Sequence, residues 1–262
     1  DRSIAIMKLD NAHAVITGAG SGIGAAIALK FAAAGVKVTL MGRRHEKLLD
    51  TAALFSEGQQ SVCVVCDVTD HQNVETAFAD ATKHFGPIDI LVNCAGAAPT
   101  NAFHKIGIDE WKSIIDVNLH GVFSCTSQVI NPMRERKSGR IINIASTSAL
   151  KGYAYVSAYS TAKHGVLGLT RSLALETAKH GITVNAICPG FTDTDIIRDS
   201  VAKIVETTGR TEEQALKQFV SSNPQGRLIT PEEIAETTVW LCMDGSDSIT
   251  GQAISVSGGE VM

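Results

Sequence analysis

Residues 13–24 read HAVITGAGSGIG, and the architecture of the chain follows from them. The stretch begins as a short apolar run, bends through Gly18, Gly20, Gly22 and Gly24, and continues into AAIALKFAAAG, which reads as a helix. Glycines permit a tight turn and let a backbone approach a pyrophosphate. The helix that follows presents unpaired N–H groups and the positive end of its dipole to that phosphate. Glycine-rich turns are common in themselves. This one carries meaning because a strand precedes it, a helix follows it, and an alternating series runs on from there.

Working outward, VKVTLM (36–41) precedes HEKLLDTAALFSEG (45–58), and SVCVVCDV (61–68) precedes NVETAFADATKHFG (73–86). DILVNCAG (89–96) is followed by a helical pattern over 109–130, and GRIINIAS (139–146) by one over 158–181. ITVNAICPG (182–190) and QAISVSGG (252–259) complete seven strand-like runs. These runs are nearly continuous in apolar residues, as strands buried on both faces should be. Alternation of strands and helices predicts an α/β, three-layer, Rossmann-type, doubly wound seven-stranded parallel sheet. No linker interrupts it, so residues 1–262 read as a single dinucleotide-binding and catalytic domain. The stretch 190–227 breaks the rhythm; two short amphipathic helices fit it, placed where a substrate lid would stand.

Composition narrows the function. The chain has 262 residues, 44% of them hydrophobic and 19% charged, with a formal net charge of −4. No basic stripe marks a nucleic-acid or anionic-membrane partner. No apolar run reaches membrane-spanning length, and the N-terminal residues lack the pattern of a secretory signal. Met7 is a candidate start with residues 1–6 ahead of it. Six cysteines in a chain this rich in core residues read as buried free thiols, and a cytoplasmic location follows. Cys63 and Cys66 stand three apart on a strand and point to opposite faces, a poor arrangement for a metal. His120, His164 and His180 show no ligand spacing, so no metal is expected.

The end of the second strand bears on the cofactor. An NAD binder usually carries an acid there for the ribose 2′-hydroxyl; here Gly42 stands in its place, followed by Arg43 and Arg44. Two guanidinium groups suit a 2′-phosphate, so NADP(H) is preferred, with NAD(H) the alternative. Farther on, Tyr159 and Lys163 stand four apart on a helical pattern and so share a face. A lysine ammonium beside a phenol is expected to lower its pKa toward the working range of an acid/base catalyst. Ser146 ends the strand GRIINIAS, on the rim where ligands bind in such sheets.

Taken together, these residues resemble the short-chain dehydrogenase/reductase family. T-G-x-x-x-G-x-G runs from Thr17 to Gly24, the N-N-A-G segment appears as Asn93-Cys94-Ala95-Gly96, and Ser146 precedes the Y-x-x-x-K pair Tyr159 and Lys163. Asn118 and Pro189-Gly190 match further family positions, and the likeness covers residues 9–259. The resemblance implies that Tyr159 is the acid/base, that Lys163 lowers its pKa and bonds the nicotinamide ribose, and that Ser146 orients the substrate carbonyl. It implies that Asn118 holds a water in a proton relay through Lys163. It places Gly18, Ser21, Gly22, Ile23 and Gly24 at the phosphates, and Asp67 and Val68 at the adenine. Asn93, Ala95 and Gly96 would line the groove, with Pro189, Gly190, Thr192 and Thr194 at the carboxamide. Cys94 departs from the family's second Asn.

Tyr153, Tyr155 and Val156, just before the catalytic tyrosine, predict an apolar, partly aromatic substrate wall. The expected activity is hydride transfer between NADP(H) and a carbonyl or secondary alcohol, first of all a 3-oxoacyl thioester or similar β-keto compound. The alternative is an NAD-dependent 3-hydroxy acid or secondary alcohol dehydrogenase, for which Lys151 or Arg198 would be the basic pocket residue. In a different class stands a non-catalytic nucleotide-sensing or scaffold protein, which would not be expected to keep all of Asn118, Ser146, Tyr159 and Lys163. The resemblance also implies a homotetramer. Helices over 110–130 and 159–179 would pack across two-fold axes through small residues such as Ala174 and Ala178, with the C-terminal QAISVSGGEVM as another interface.

Overall fold

The computed structural model describes residues 9–262; Met7 and the residues before it lie outside that range. Strands β1 (His13–Thr17), β2 (Lys37–Gly42), β3 (Ser61–Val65), β4 (Ile90–Asn93), β5 (Gly139–Ile144), β6 (Ile182–Pro189) and β7 (Ala253–Val256) form one sheet. Its order is β3-β2-β1-β4-β5-β6-β7, and all six neighbouring pairs are parallel. The order reverses at β1/β4, which opens a crevice at the carboxyl ends of the strands and makes that rim the place for a ligand.

Both faces are covered. Helices α1 (Gly22–Ala33), α2 (His45–Ala52) and α9 (Pro231–Trp240) lie on one face, where Ile27, Phe31, Leu48, Ile234 and Val239 pack against Ile16, Leu40 and Val92. On the other face stand α3 (His71–Phe85), α5 (Gly121–Arg136) and α6 (Ser157–Thr177). There Val74, Phe78, Val129 and Met133 pack against Val15, Leu91, Ile141 and Val184. Adjacent strand residues feed opposite cores, so each strand must be apolar throughout. That requirement explains the unbroken apolar runs in the sequence.

The excursion after β6 forms α7 (Asp195–Thr208) and α8 (Glu212–Val220). These two helices have a small core of their own, built on Ile197, Val201 and Ala215. Thr211 caps α8 through Gln214 in a reciprocal capping box, which pins its start.

The pattern over 110–130 lies within one continuous helical run, in which α4 (Ile108–Ile115) passes through a π turn (Asp116–His120) into α5. One expectation about the helices needs correction. Ala174 is 2% exposed and packs inward with Ala81, Val184 and their neighbours, so it has no surface to offer a second chain. The outward face of α6 instead carries Leu175, 83% exposed. Ala174 and Leu175 differ by about 100° around a helix axis, a distinction that residue type alone does not reveal.

Candidate active site

The cofactor end is built by the first turn. Gly18 and Gly22 adopt left-handed φ values of 69° and 51°, which a side chain would resist. A Cβ at Gly24 would stand 2.2 Å from the Gly18 carbonyl oxygen, so the helix can approach the turn this closely only with glycine there. Thr17 Oγ1 accepts from the N–H groups of Cys94 (3.0 Å) and Ala95 (3.1 Å), tying the turn to the end of β4. Ser21 caps α1 without a side-chain hydrogen bond, and the first turn of α1 holds no acid. Its amide donors therefore remain for an anion.

Gly42 ends β2, and Arg43 and Arg44 stand at the mouth of the same cleft as Asp67 and Val68. Burial pushes the Asp67 carboxyl up, but Thr69 N–H and hydroxyl bonds, with the nearby Arg43 guanidinium, outweigh it and hold the carboxyl below its ordinary value. Thr194 lies against Gly22, and the Thr192 hydroxyl donates to the Gly190 carbonyl at 2.9 Å.

Of the residues singled out in the sequence, Asn93 does not line this cleft. Its amide is buried and donates to Thr126 Oγ1 (3.2 Å) and Asn143 Oδ1 (2.9 Å), and Asn143 donates in turn to Thr170 Oγ1 (2.9 Å). Like Leu91 two residues earlier, it points to the α5 face of the sheet, since side chains alternate along a strand. Asn93 ties the strands to helices beneath the groove, and the groove itself is left to Cys94, Ala95 and Gly96.

Four side chains converge farther along. Ser146 follows β5 and caps a 3-10 turn (Thr147–Ala149), its Oγ accepting from Ser148 N–H at 3.0 Å. That bond occupies a lone pair and leaves the hydroxyl proton free to donate. Tyr159 and Lys163 lie one turn apart on α6, with the ammonium 5.6 Å from the phenol ring centroid. Lys163 Nζ donates to the Ile144 carbonyl at 2.8 Å. Asn118 sits in the π turn. A Cβ at Gly96 would stand 2.8 Å from Asn118 Oδ1 and 3.7 Å from Lys163 Nζ, so this is a cradle a side chain would fill.

One expected effect changes. Tyr159 is not pulled below its ordinary value: burial pushes the phenol up to about 12, against the opposing effect of Ser146. Burial likewise lowers Lys163 to about 8. Lys163 is buried and Tyr159 is partly so; loss of solvent disfavours the charged form of each, and the ammonium is turned to a backbone carbonyl. The Asn118 side-chain amide is held in place by the backbone. It donates to the carbonyls of Ala97 (2.8 Å) and Ile114 (3.0 Å) and accepts from Ala97 N–H (3.3 Å).

The third part of the cleft is aromatic. Tyr153 meets Phe191 edge-on at 6.2 Å, and Phe191 meets Phe219 of α8 at 5.2 Å. Val156 and, from α7, Ile197 and Ile204 add to this end. Tyr155 stands at the rim, 66% exposed with a φ of 68°. Lys151 and Arg198 do not enter the cleft as free cations. Lys151 pairs with Glu260 at 3.4 Å, and Arg198 pairs with Asp193 and Asp195 at 3.1 and 3.3 Å. Sequence reasoning missed Phe191, Phe219 and Glu260. Phe191 directly follows Pro189-Gly190 on the ligand-bearing rim and was within reach of that rule. Phe219 and Glu260 arrive from distant segments, with no local signal.

All these parts share one continuous cleft of about 1130 Å³. A glycine-lined anion cradle, a Ser–Tyr–Lys–Asn group at the cleft floor and an apolar end define a dinucleotide-fold oxidoreductase acting on C=O or CH–OH groups. The chain belongs to the short-chain dehydrogenase/reductase family. A family model described as enoyl-(acyl carrier protein) reductase matches residues 18–260. The chain is 38% identical over 247 residues to acetoacetyl-CoA reductase of Shinella zoogloeoides, covering 94% of this chain and 97% of that one. It is 38% identical over 250 residues to D-beta-hydroxybutyrate dehydrogenase of Rhizobium meliloti, with 94% and 97% covered. A variant of the actinorhodin polyketide ketoreductase, solved with NADPH, superposes with a TM-score of 0.91 at 36% identity over 97% of this chain and 98% of that one. Among the described residues, no helix is long and apolar enough to cross a membrane.

Proposed function

We propose that this chain is an NADP(H)-dependent reductase of a 3-oxoacyl thioester or similar β-keto compound, with Tyr159 as the proton donor. The observation that carries this reading is the character of the cleft's two ends: arginines at one, an aromatic wall at the other. Lys151 and Arg198, which a small 3-hydroxy acid would need for its carboxylate, are paired with acids instead. A thioester has no such charge and suits an apolar wall. The acetoacetyl-CoA reductase among the relatives and the NADPH of the ketoreductase neighbour support the same choice.

The glycine turn, Arg43, Arg44, Asp67, Val68, Ala95, Gly96, Thr192 and Thr194 would hold the cofactor, which when bound supplies or accepts the hydride. Ser146 donates its free proton to the substrate oxygen. Tyr159, protonated at neutral pH because burial holds it near 12, delivers its own proton as charge develops there, and the two donors stabilise that charge. Lys163 stabilises the phenolate left behind. Helices α7 and α8 close the substrate end as a lid. The outward Phe123 and Leu175, 61% and 83% exposed on α5 and α6, support assembly into an oligomer through that face.

The test follows loss of NADPH absorbance with acetoacetyl thioesters, in parallel with reduction of NAD+ by 3-hydroxybutyrate. Thioester turnover that Tyr159→Phe abolishes is the expected result. Faster oxidation of 3-hydroxybutyrate with NAD+ would replace this reading with the dehydrogenase. Cofactor binding with no turnover of any ketone or alcohol would mark a nucleotide sensor.

A further inference from the structure

The C-terminal tail brings one buried carboxylate to the substrate end. After β7 the chain turns through Gly258 and Gly259, both at positive φ (62° and 91°), and the Glu260 side chain that follows is 1% exposed. Tyr153 Oη lies 2.5 Å from Glu260 Oε1 and 2.8 Å from Thr147 Oγ1. A phenol has one proton and an ionised carboxylate only accepts. The Tyr153 proton therefore goes to Glu260, and the Thr147 hydroxyl donates to Tyr153. Lys151 Nζ stands 3.4 Å from the same carboxylate oxygen and 4.8 Å from the Tyr153 ring centroid. The second oxygen, Oε2, is buried with no hydrogen-bond partner; it occupies the space beside Gly190 that a side chain there would need, 3.0 Å from where a Cβ would stand.

The donor chain from Thr147 through Tyr153 to Glu260 has one direction, and it starts next to Ser146. Thr147 is 4% exposed and belongs to the turn that Ser146 caps. At its other end the chain fixes the ring that forms the wall with Phe191. A buried charge is held only where its neighbours compensate it, yet Glu260 is not needed to close any helix or strand. Its polar partners are residues of the substrate wall and the Ser146 turn.

We propose that Glu260 is a positioning residue for the carbonyl substrate: it anchors Tyr153 and, through Thr147, holds the turn that presents the Ser146 hydroxyl. The inference rests on the reading that Ser146 and Tyr159 act on a carbonyl. It ties Glu260 to the substrate site through Tyr153 and Thr147.

The experiment measures KM and kcat for a ketone substrate and the Kd of NADPH in Glu260→Ala, Glu260→Gln, Tyr153→Phe and the Glu260→Ala/Tyr153→Phe pair. A buried phenol left without its acceptor should raise KM by about tenfold, with the NADPH Kd changed by less than about twofold. Glu260→Gln keeps an acceptor oxygen and should restore most of the loss. The pair should lose no more than either single change, because both break one chain. A KM unchanged in Glu260→Ala, an equal weakening of NADPH binding, or additive losses would overturn the proposal. Should Glu260→Ala not fold, Tyr153→Phe beside Glu260→Gln decides: a raised KM in the first with a near-native second supports it, and a KM unmoved in Tyr153→Phe refutes it. An unaltered protein that binds NADPH but reduces no ketone fails at the functional reading itself, before Glu260 is varied.

Discussion

The proposed preference for NADPH places the choice of cofactor on a few atoms at the mouth of β2, where it can be reversed. Arg43 is exposed at the rim of the cleft and lies near enough to Asp67 for that carboxylate to feel its charge. A charge-assisted bond to a 2′-phosphate contributes about 1.5–3 kcal/mol. Exposure and competition from Asp67 hold Arg43 near the lower figure, about 1.5 kcal/mol, or about tenfold in Kd. Arg43→Ala should therefore weaken NADPH about tenfold while moving NADH by less than about twofold. Gly42→Asp adds the carboxylate that a 2′-hydroxyl would use. The new Cβ would meet Leu48 Cδ2 at 3.2 Å, a terminal methyl that can yield, so the variant should fold. Its charge repels a 2′-phosphate, and with Arg43→Ala it should invert the preference. Fluorescence titration of both nucleotides across a salt series is the assay, and the NADPH advantage should narrow as salt rises. Equal affinities in the unaltered protein, or an Arg43→Ala change that weakens both nucleotides alike, would refute the reasoning.

Tyr159→Phe removes the proposed proton donor and should lower kcat by about 10²–10⁴ while leaving the NADPH Kd within about twofold; a kcat within tenfold of the parent would be incompatible with that role. With the phenol near 12, alcohol oxidation, which needs the phenolate, should rise steadily from neutral to alkaline pH, whereas ketone reduction should stay level below about 8, where Lys163 keeps its proton. For stability, Lys163 is lowered from 10.5 to about 8, so the cost of burying its ammonium is complete below pH 8 and fades as pH climbs toward 10.5. Thermal melts should show Lys163→Met losing that alkaline gain. Gly24→Ala drives a Cβ into the Gly18 carbonyl at 2.2 Å, so a Tm drop equivalent to about 1–3 kcal/mol together with weakened NADPH binding is expected; an unchanged Kd would show that the turn does not touch the cofactor. Asn118→Leu leaves Ala97 and Ile114 backbone groups unpartnered and should cost about 1–3 kcal/mol in denaturant unfolding.

The sheet is legible in the residues alone, and so are the groups proposed to react. Parallel strands buried on both faces must be apolar throughout, so their runs are visible without a structure, and the glycines at 18, 22 and 24 are dictated by local backbone geometry. Tyr159 and Lys163 share a face because helical spacing is local. Tertiary structure decided everything that depends on burial or on a partner far along the chain. The Tyr159 phenol moves up, not down, because desolvation, a property of the whole enclosure, outweighs the opposing bond with Ser146. Asn93 leaves the groove because strand pleat and the position of α5 decide which face an amide meets. The two cations available for an acidic substrate are spent on Glu260, Asp193 and Asp195, and the wall of Tyr153, Phe191 and Phe219 is assembled from segments more than 60 residues apart at its extremes. Contacts of that span have no local periodicity, so only the folded chain reveals them.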